Sequence, residues 1–368
     1  MKKAFSITAG ILMALVVVGA VVFGFLRVPG SAKASASCTA TGFYRDSINL
    51  TAVLIATGTT YNVTGPVSAS GCNIGVYYGP GTGGTVSNAQ IFGANYFGIV
   101  NNGGKVTVSY SQVHDIGENP LNGDQHGVAI YYAYDNPSKG TIKDNLIWNY
   151  QKGGITVNGV GSNATISHNT VIGQGPVNYI AQNGIQIGFG AKGTVSHNIV
   201  TGNSYTGSAG ASSGGIIVVG GECYGSALTI GIHITNNDVI GNDVGIWLSN
   251  IDGTYPNCPP TLTPTNVVVK NNISTDDGVN NTSGYGPNAG YQAGVSDQGD
   301  GDQIVSNSIC GLGYTPVTPP PYLYFIDVTY TNNVTDTGNT SCLDGSPISL
   351  MKGAPSHLAH HGIPTYIH

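Results

Sequence analysis

A short alternation of apolar and polar residues recurs along the chain, and each copy is centred on an asparagine. The clearest copy is the segment 165–173, Thr-Ile-Ser-His-Asn-Thr-Val-Ile-Gly, and the segments 194–202 and 233–241 are variants of it. The β-branched residues three before and two after the asparagine would face inward, with small polar residues facing outward. The pattern predicts short β-strands on both sides of a bend.

The central asparagines form a row when the copies are aligned. Buried amides are costly unless they are hydrogen-bonded, and strands stacked about 4.8 Å apart would let each amide bond to the next. We therefore expect an asparagine ladder inside the molecule. The row comprises Asn145, Asn169, Asn198, Asn237, Asn272 and Asn333, with Ser308, Ser111 and Ala89 in weaker copies and Val305 inward beside Ser308.

A second motif, glycine followed by an apolar residue, comes after each asparagine motif and predicts the next strand. Each glycine is expected at a bend where a side chain would clash. The copies begin at Gly98, Gly127, Gly154, Gly184, Gly215, Gly245 and Gly294. The residues two positions later are predicted to point outward: Val100, Ala129, Thr156, Gln186, Ile217 and Trp247.

The spacing of the copies gives the length of one repeat. Asn145 and Asn169 are 24 residues apart, and Asn169 and Asn198 are 29 apart. Repeats of this length with two or three short strands predict an all-β fold, a single-stranded right-handed parallel β-helix, which is a solenoid with an asparagine ladder and corner loop insertions.

The Asn-x-[Ile/Val] and Gly-[Ile/Val] motifs resemble those of the pectate-lyase-like right-handed parallel β-helix proteins. The resemblance extends from about Gly83 to Asn333. This group includes lyases, hydrolases, epimerases, phage tailspikes and adhesins, so the resemblance implies the fold and leaves the activity open.

The order of segments predicts four parts. Residues 1–36, with Lys2-Lys3, an apolar run and a small-residue site, form a signal peptide or an uncleaved N-terminal anchor. Residues 37–82 form an N-terminal cap and first coil, 83–345 the β-helix, and 346–368 a C-terminal tail. We expect a secreted or cell-surface protein that meets a membrane only through an uncleaved N-terminal segment.

Composition and net charge limit the classes of molecule that the protein can be expected to bind. The chain has 56 glycines, 8% charged residues and a net charge of −6, which gives no basis for nucleic-acid binding. An even number of cysteines in an exported chain predicts disulfides. Pairing of nearest neighbours, one of many possibilities, gives Cys38–Cys72, Cys223–Cys258 and Cys310–Cys342.

The segment 118–135 carries the densest set of reactive side chains. Its Asp124-Gln-His126 resembles the Asp-x-His piece of mannuronan C5-epimerases, which share this fold. The resemblance implies His126 as base or acid, Asp124 as its neighbour, Tyr131 as its partner and Lys105 as the neutraliser of a substrate carboxylate. Alternatively, His126 only caps a bend and the tyrosines are surface residues. The predicted substrate-binding residues are Tyr132, Tyr134, Lys143 and Trp247.

A glycine-rich acidic segment is the predicted metal site. Asp297, Asp300 and Asp302 offer oxygen ligands for Ca²⁺, and the alternative is a solvated turn. No other cofactor is predicted.

Two functions remain open from the sequence. The first is an exported carbohydrate-active protein that acts on or binds an acidic polysaccharide as a lyase or C5-epimerase. The second is a non-catalytic adhesin or structural solenoid. Convergence of His126, Asp124, Tyr131 and a lysine within about 4 Å around an open groove would favour the enzyme, and their divergence or burial would count against it.

Overall fold

The computed structural model describes residues 37–253, 263–281, 290–317, 321–328 and 333–351. Short strands account for the regular structure of these ranges, apart from one 3₁₀ turn, η1 (Glu222–Tyr224). The strands of the first half are β1 (Thr39–Arg45), β2 (Ile48–Ile55), β3 (Tyr61–Ser68), β4 (Ile74–Tyr78), β5 (Gly83–Phe92), β6 (Phe97–Asn101), β7 (Lys105–Ser109), β8 (Gln112–Ile116), β9 (Val128–Tyr132), β10 (Lys139–Lys143), β11 (Leu146–Tyr150), β12 (Gly153–Asn158), β13 (Asn163–Ser167), β14 (Thr170–Ile172) and β15 (Asn183–Gly188).

The remaining strands continue the same alternation. They are β16 (Lys192–Ser196), β17 (Ile199–Thr201), β18 (Gly214–Gly220), β19 (His233–Thr235), β20 (Asp238–Ile240), β21 (Val244–Asn250), β22 (Val268–Lys270), β23 (Ile273–Thr275), β24 (Tyr291–Asp297), β25 (Asp302–Val305), β26 (Ser308–Cys310), β27 (Tyr322–Asp327), β28 (Val334–Thr337) and β29 (Thr340–Ser341).

The strands form two sheets whose members pair in parallel with the equivalent strand of the next coil. One sheet runs β2-β4-β6-β9-β12-β15-β18-β21-β24-β27, with β1 antiparallel to β2 at its edge. The other sheet receives two strands from each coil, such as β13 and β14 on either side of an asparagine bend. The inward residues Ile142, Ile166 and Val195 lie in register and are fully buried. These stacked coils confirm the predicted parallel β-helix.

The asparagine ladder is present and longer than predicted. Consecutive side-chain amides bond at 2.9–3.0 Å along Asn145, Asn169, Asn198, Asn237, Asn272, Asn307 and Asn339. The prediction of Ser308 and Asn333 in this row was wrong. The residue before each ladder position turns the chain in the left-handed conformation, and Ser306 does so at φ 56°, which puts Asn307 in the row. Inward Ile304, fully buried, replaces the predicted Val305.

The motif glycines lie where a side chain would collide with the opposite sheet. A Cβ added to Gly184 would be 2.3 Å from a methyl carbon of Val200. Gly127 is an exception, because Phe97 pairs with Val128 and Ala129 therefore takes the motif position. The outward residue of this coil is thus Tyr131 and not Ala129, as shown by its pairing with Val100.

The two ends of the stack are held by covalent and backbone contacts. Cys38–Cys72 and Cys310–Cys342 are disulfides, as predicted, while Cys258 lies outside the described residues and the third pair stays a prediction. At the C-terminal end, Ile348 is also buried against the core, and the backbone N–H of Met351 donates to the carbonyl of Ile326 in β27.

The N-terminal segment 1–36 also lies outside the described residues. Within the described ranges, no helix has the length and apolar character needed to cross a membrane.

Candidate functional site

The loop 117–127 between β8 and β9 is built around one buried side chain of the next coil. The Oε1 of Gln151 accepts hydrogen bonds from the backbone N–H groups of Glu118 and Asn122, both at 3.1 Å. The Nε2 of Gln151 donates to the backbone carbonyl of Asp124 at 2.8 Å. Gln151 is fully buried, so these bonds fix the loop on the β-helix.

His126 is held at the end of this loop by a carboxylate and an aromatic ring. Its Nε2 lies 2.8 Å from Oε1 of Glu118, and its ring stacks on Tyr96 with 3.9 Å between ring centroids. The same carboxylate oxygen accepts a bond from Asn95 at 3.1 Å. Because an ionised carboxylate only accepts, the geometry assigns a proton to Nε2, and in the neutral imidazole Nδ1 is then the acceptor.

Asp124 completes the cluster from its exposed position in the loop. Asn122 donates to its carboxylate and accepts from its backbone N–H, both at 2.9 Å. Ligand atoms of Glu118, Asp124 and His126 all lie within 4.8 Å of one another. No other group of three or more such side chains is found in the described part of the chain.

Tyr131 and Lys105 are not brought to this cluster. The hydroxyl of Tyr131 accepts a bond from Arg45 at 3.2 Å, and its ring stacks on Phe97 at 4.8 Å. Tyr131 is fully buried, and burial raises the pKa of its phenol while Arg45 opposes the rise. Lys105 is exposed at the start of β7, in the other sheet from β9. The predicted convergence of four side chains is therefore absent.

The predicted substrate-binding residues lie at separate places. Tyr132 points into the core, where its hydroxyl donates to the carbonyl of Val106 at 2.7 Å. Trp247 is 2% exposed and donates to Gln298 at 3.3 Å, so neither ring can stack on a sugar.

Tyr134 and Lys143 are accessible. Tyr134 is 39% exposed. The ammonium of Lys143 lies 3.8 Å from Asp144 and 5.5 Å from the ring centroid of Tyr110. Both side chains therefore lie on the surface, and no contact of either with His126 or Gln151 is found among the described residues.

The predicted Ca²⁺ site at residues 297–302 is a buried polar network. Asp300 accepts from the backbone and side chain of Asn333, both at 3.1 Å. Asp302 accepts from Val267 at 2.7 Å. Burial, followed by the charge of Asp302, raises the pKa of Asp297 well above its ordinary value. Asp297 and Asp302 also interact with each other, and one buried oxygen of each carboxylate has no hydrogen-bond partner. The three carboxylates are not among the described groups of three close ligand atoms, and the Ca²⁺ site stays a prediction.

Sequence reasoning missed Glu118, Tyr96 and Gln151. Glu118 is one of only two glutamates in the chain, and it lies eight residues before His126 in the predicted insertion. The rarity of glutamate was the feature of the sequence that could have identified Glu118 as a site residue. The partnership with Gln151 crosses coils and depends on the loop conformation, which no residue spacing specifies.

The coils and their amide ladder define a parallel β-helix solenoid, and a comparison with protein families agrees. Residues 51–225 match a family model described as the right-handed β-helix region. This match and the stacked coils agree that the chain contains a right-handed β-helix domain. No curated protein and no solved structure matches it.

Proposed function

We propose that the protein is an exported carbohydrate-active β-helix protein that acts on an acidic polysaccharide by proton transfer, as a lyase or C5-epimerase. The observation that carries the proposal is the Glu118–His126 contact of 2.8 Å beside Asp124 in an ordered corner loop. β-Helix proteins are often carbohydrate-active or carbohydrate-binding. The two disulfides support an oxidising, extracellular environment.

His126 would carry the proton in this reaction. Elimination or epimerisation of a uronate begins with removal of the proton at C5. The bond from Nε2 to Glu118 orients the imidazole and leaves Nδ1 to accept that proton. Stacking on Tyr96 fixes the plane of the ring. Glu118 is therefore a positioning residue, and His126 is the catalytic one.

The negative charge of Glu118 and Asp124 means that an acidic substrate needs a positive charge at the site. A substrate carboxylate that approaches Glu118 and Asp124 would meet like charge. A divalent cation would neutralise both sides, and carboxylate oxygens suit Ca²⁺ or Mg²⁺. Glu118 and Asp124 are the side chains that would hold it, since their ligand atoms lie within 4.8 Å of each other. We therefore expect activity to depend on a divalent cation.

The test uses the full exported chain with polygalacturonate and alginate in the presence of Ca²⁺. Unsaturated products are followed by ultraviolet absorbance and epimer content by NMR. His126→Asn should abolish both signals, and EDTA should do the same to the unmodified protein. A matched control is His197→Asn. His197 is exposed at the asparagine bend, and Asn236 takes the same position with the same φ of 57° in the next coil, so asparagine fits there. Equal activity in the His126 variant would remove the proposal.

The second candidate is a non-catalytic polysaccharide-binding protein. The separation of Tyr131 and Lys105 from His126 favours it, because the side chains predicted as the acid and as the neutraliser of a substrate carboxylate are not at the cluster. Binding of polysaccharide without any product, with and without Ca²⁺, would favour this function over the enzyme.

A further inference from the structure

Each coil bends a second time after the strand that follows the asparagine bend, and glycine occupies this second bend in several coils. Gly93, Gly202 and Gly241 occupy it with φ of 83°, 73° and 62°. Two neighbouring coils instead carry Asp115 and Asn149, at φ of 54° and 51°. The pairing of β5, β8 and β11 puts these residues in one column.

Side chains are disfavoured in this column. The left-handed conformation costs an L-residue roughly 1 kcal/mol, less for Asp and Asn than for others. Glycine satisfies the same bend in other coils, so the fold does not require either side chain. Left-handed Asn and Asp also occur at the other bend, so a role for Asp115 and Asn149 must be argued from the contacts of their side chains.

The two residues begin a hydrogen-bonded row that crosses the coils. The amide of Asn149 donates to Asp115, and the amide of Gln174 donates to Asn149. The hydroxyl of Tyr179 donates to Gln174. The side chain of Asp115 is 51% exposed, and Asn149, Gln174 and Tyr179 are half-buried, so the row presents a carboxylate beside partly accessible amide and phenol groups.

An aromatic column runs beside the polar row on the same strands. The ring of His114 stacks between those of Phe92 and Trp148, with centroid distances of 5.4 and 4.2 Å. Phe92 and Trp148 are partly exposed. His114 also contacts Asp115 at 2.7 Å, which joins the column to the row. Apolar rings beside a few oriented polar groups are typical of a ligand-binding surface.

The row is continuous with the candidate catalytic cluster. Glu118 follows Asp115 by three residues, and Gln151, which holds Glu118, follows Asn149 by two. Gln182 accepts from the backbone of Gln174 at 2.8 Å and donates to the carbonyl of Gln151 at 3.1 Å. The surface and the cluster therefore share one corner of the coils.

We infer that Asp115, Asn149, Gln174 and Tyr179 form a glycan-binding row that holds the hydroxyl groups of a uronate polysaccharide running across successive coils. This inference rests on the proposed function and names the surface that binds the sugars flanking His126. Asp115, Asn149 and Gln174 come from three successive coils stacked at a step of about 4.8 Å, and Tyr179 lies in the same loop as Gln174, so a linear polymer can meet the groups in succession.

The test measures binding separately from turnover. The full chain carrying His126→Asn is titrated with polygalacturonate and with alginate in Ca²⁺ buffer by calorimetry. The same titration is made after adding Asp115→Gly and Asn149→Gly. Glycine preserves the bend, so we expect unchanged thermal unfolding and an affinity about 30-fold weaker, which corresponds to about 2 kcal/mol for the two lost side chains.

The matched control is Asn236→Gly with Asn271→Gly. Both asparagines are exposed and left-handed, at φ of 57° and 56°, and both lie at the other bend. Unchanged affinity in the control and weaker affinity in the row variant support the inference. Equal affinity in all three proteins, or equal loss in control and row variants, overturns it and leaves the proposed function standing. Absence of binding to both polymers in the parent protein overturns the proposed function itself.

Discussion

The side-chain amide of Asn198 donates to that of Asn237 across the step between two coils, at 3.0 Å. The Oδ1 of Asn198 in turn accepts bonds from the backbone and the side chain of Asn169, both at 3.0 Å. Because Asn198 and Asn237 are buried, water cannot replace a lost partner. We expect Asn198→Ala to lower the free energy of unfolding by about 3 kcal/mol or more, measured by urea denaturation.

The control for this substitution is Asn163→Ala. Asn163 is exposed at the start of β13, so its loss should change the free energy of unfolding by less than about 0.5 kcal/mol. Similar values for the two variants would mean that the ladder contributes nothing beyond an ordinary surface amide.

The phase of the repeat could be determined from sequence wherever the asparagine was unambiguous. Near residue 307 the ladder position was ambiguous, because Asn307 and Ser308 are adjacent polar residues and either fits the row. A shift of one residue reverses which side chains face inward, so Val305 was predicted where Ile304 is buried. The same ambiguity at Gly127 misplaced the outward row, because Ala129 fills the glycine position.

The candidate site was predictable only in part. Asp124 and His126 lie two residues apart in an insertion, and local sequence brings them together. Tyr131 is equally close in sequence, but it lies on the covered face of β9, beneath Arg45 of the N-terminal hairpin. Which face of a strand is covered depends on distant segments, and the repeat pattern carries no information about them.

The glycine at position 184 provides a test of the close approach between the sheets. A Cβ there would be 2.3 Å from Val200 and 2.6 Å from the carbonyl oxygen of Gly215. The backbone contact cannot be relieved by rotating a side chain. We expect Gly184→Ala to lower the free energy of unfolding by about 1–3 kcal/mol, measured by urea denaturation.

The natural comparison for Gly184→Ala is Ala129, which takes the same position in another coil. Ala129→Gly should cost about 1 kcal/mol or less, since its coil already accommodates a methyl group. A larger loss for Ala129→Gly than for Gly184→Ala would contradict the proposed steric cause.

Glu118 tests the positioning of the imidazole. Glu118→Gln keeps the shape of the side chain but replaces the carboxylate that orients Nε2 of His126 at 2.8 Å. If the protein is a lyase or epimerase, we expect the rate of product formation to fall about 10–100-fold with little change in thermal unfolding. Glu222, the other glutamate, is exposed in η1 and provides the matched control, Glu222→Gln. Equal rates in the two variants would exclude Glu118 from the reaction.

Lys152 should make stability depend on alkaline pH. It is 3% exposed and donates from Nζ to the carbonyl of Ala181 at 2.8 Å. Burial lowers the pKa of its ammonium group to about 7. In the unfolded chain a lysine keeps its proton up to a pKa of about 10.4. Between these two values the unfolded chain binds more protons than the folded one, so the free energy of unfolding must increase with pH.

The corresponding measurement is the melting temperature from pH 7 to pH 10. We expect it to rise in the unmodified protein through the contribution of Lys152. In Lys152→Met this contribution disappears, and the variant should be the more stable protein at pH 7, because a buried, largely unpaired charge is replaced by an apolar side chain of similar length. The exposed Lys192 serves as the control, and Lys192→Met should keep the slope of the unmodified protein. A Lys152→Met variant with that same slope would show that the lysine titrates alike in the folded and unfolded chains.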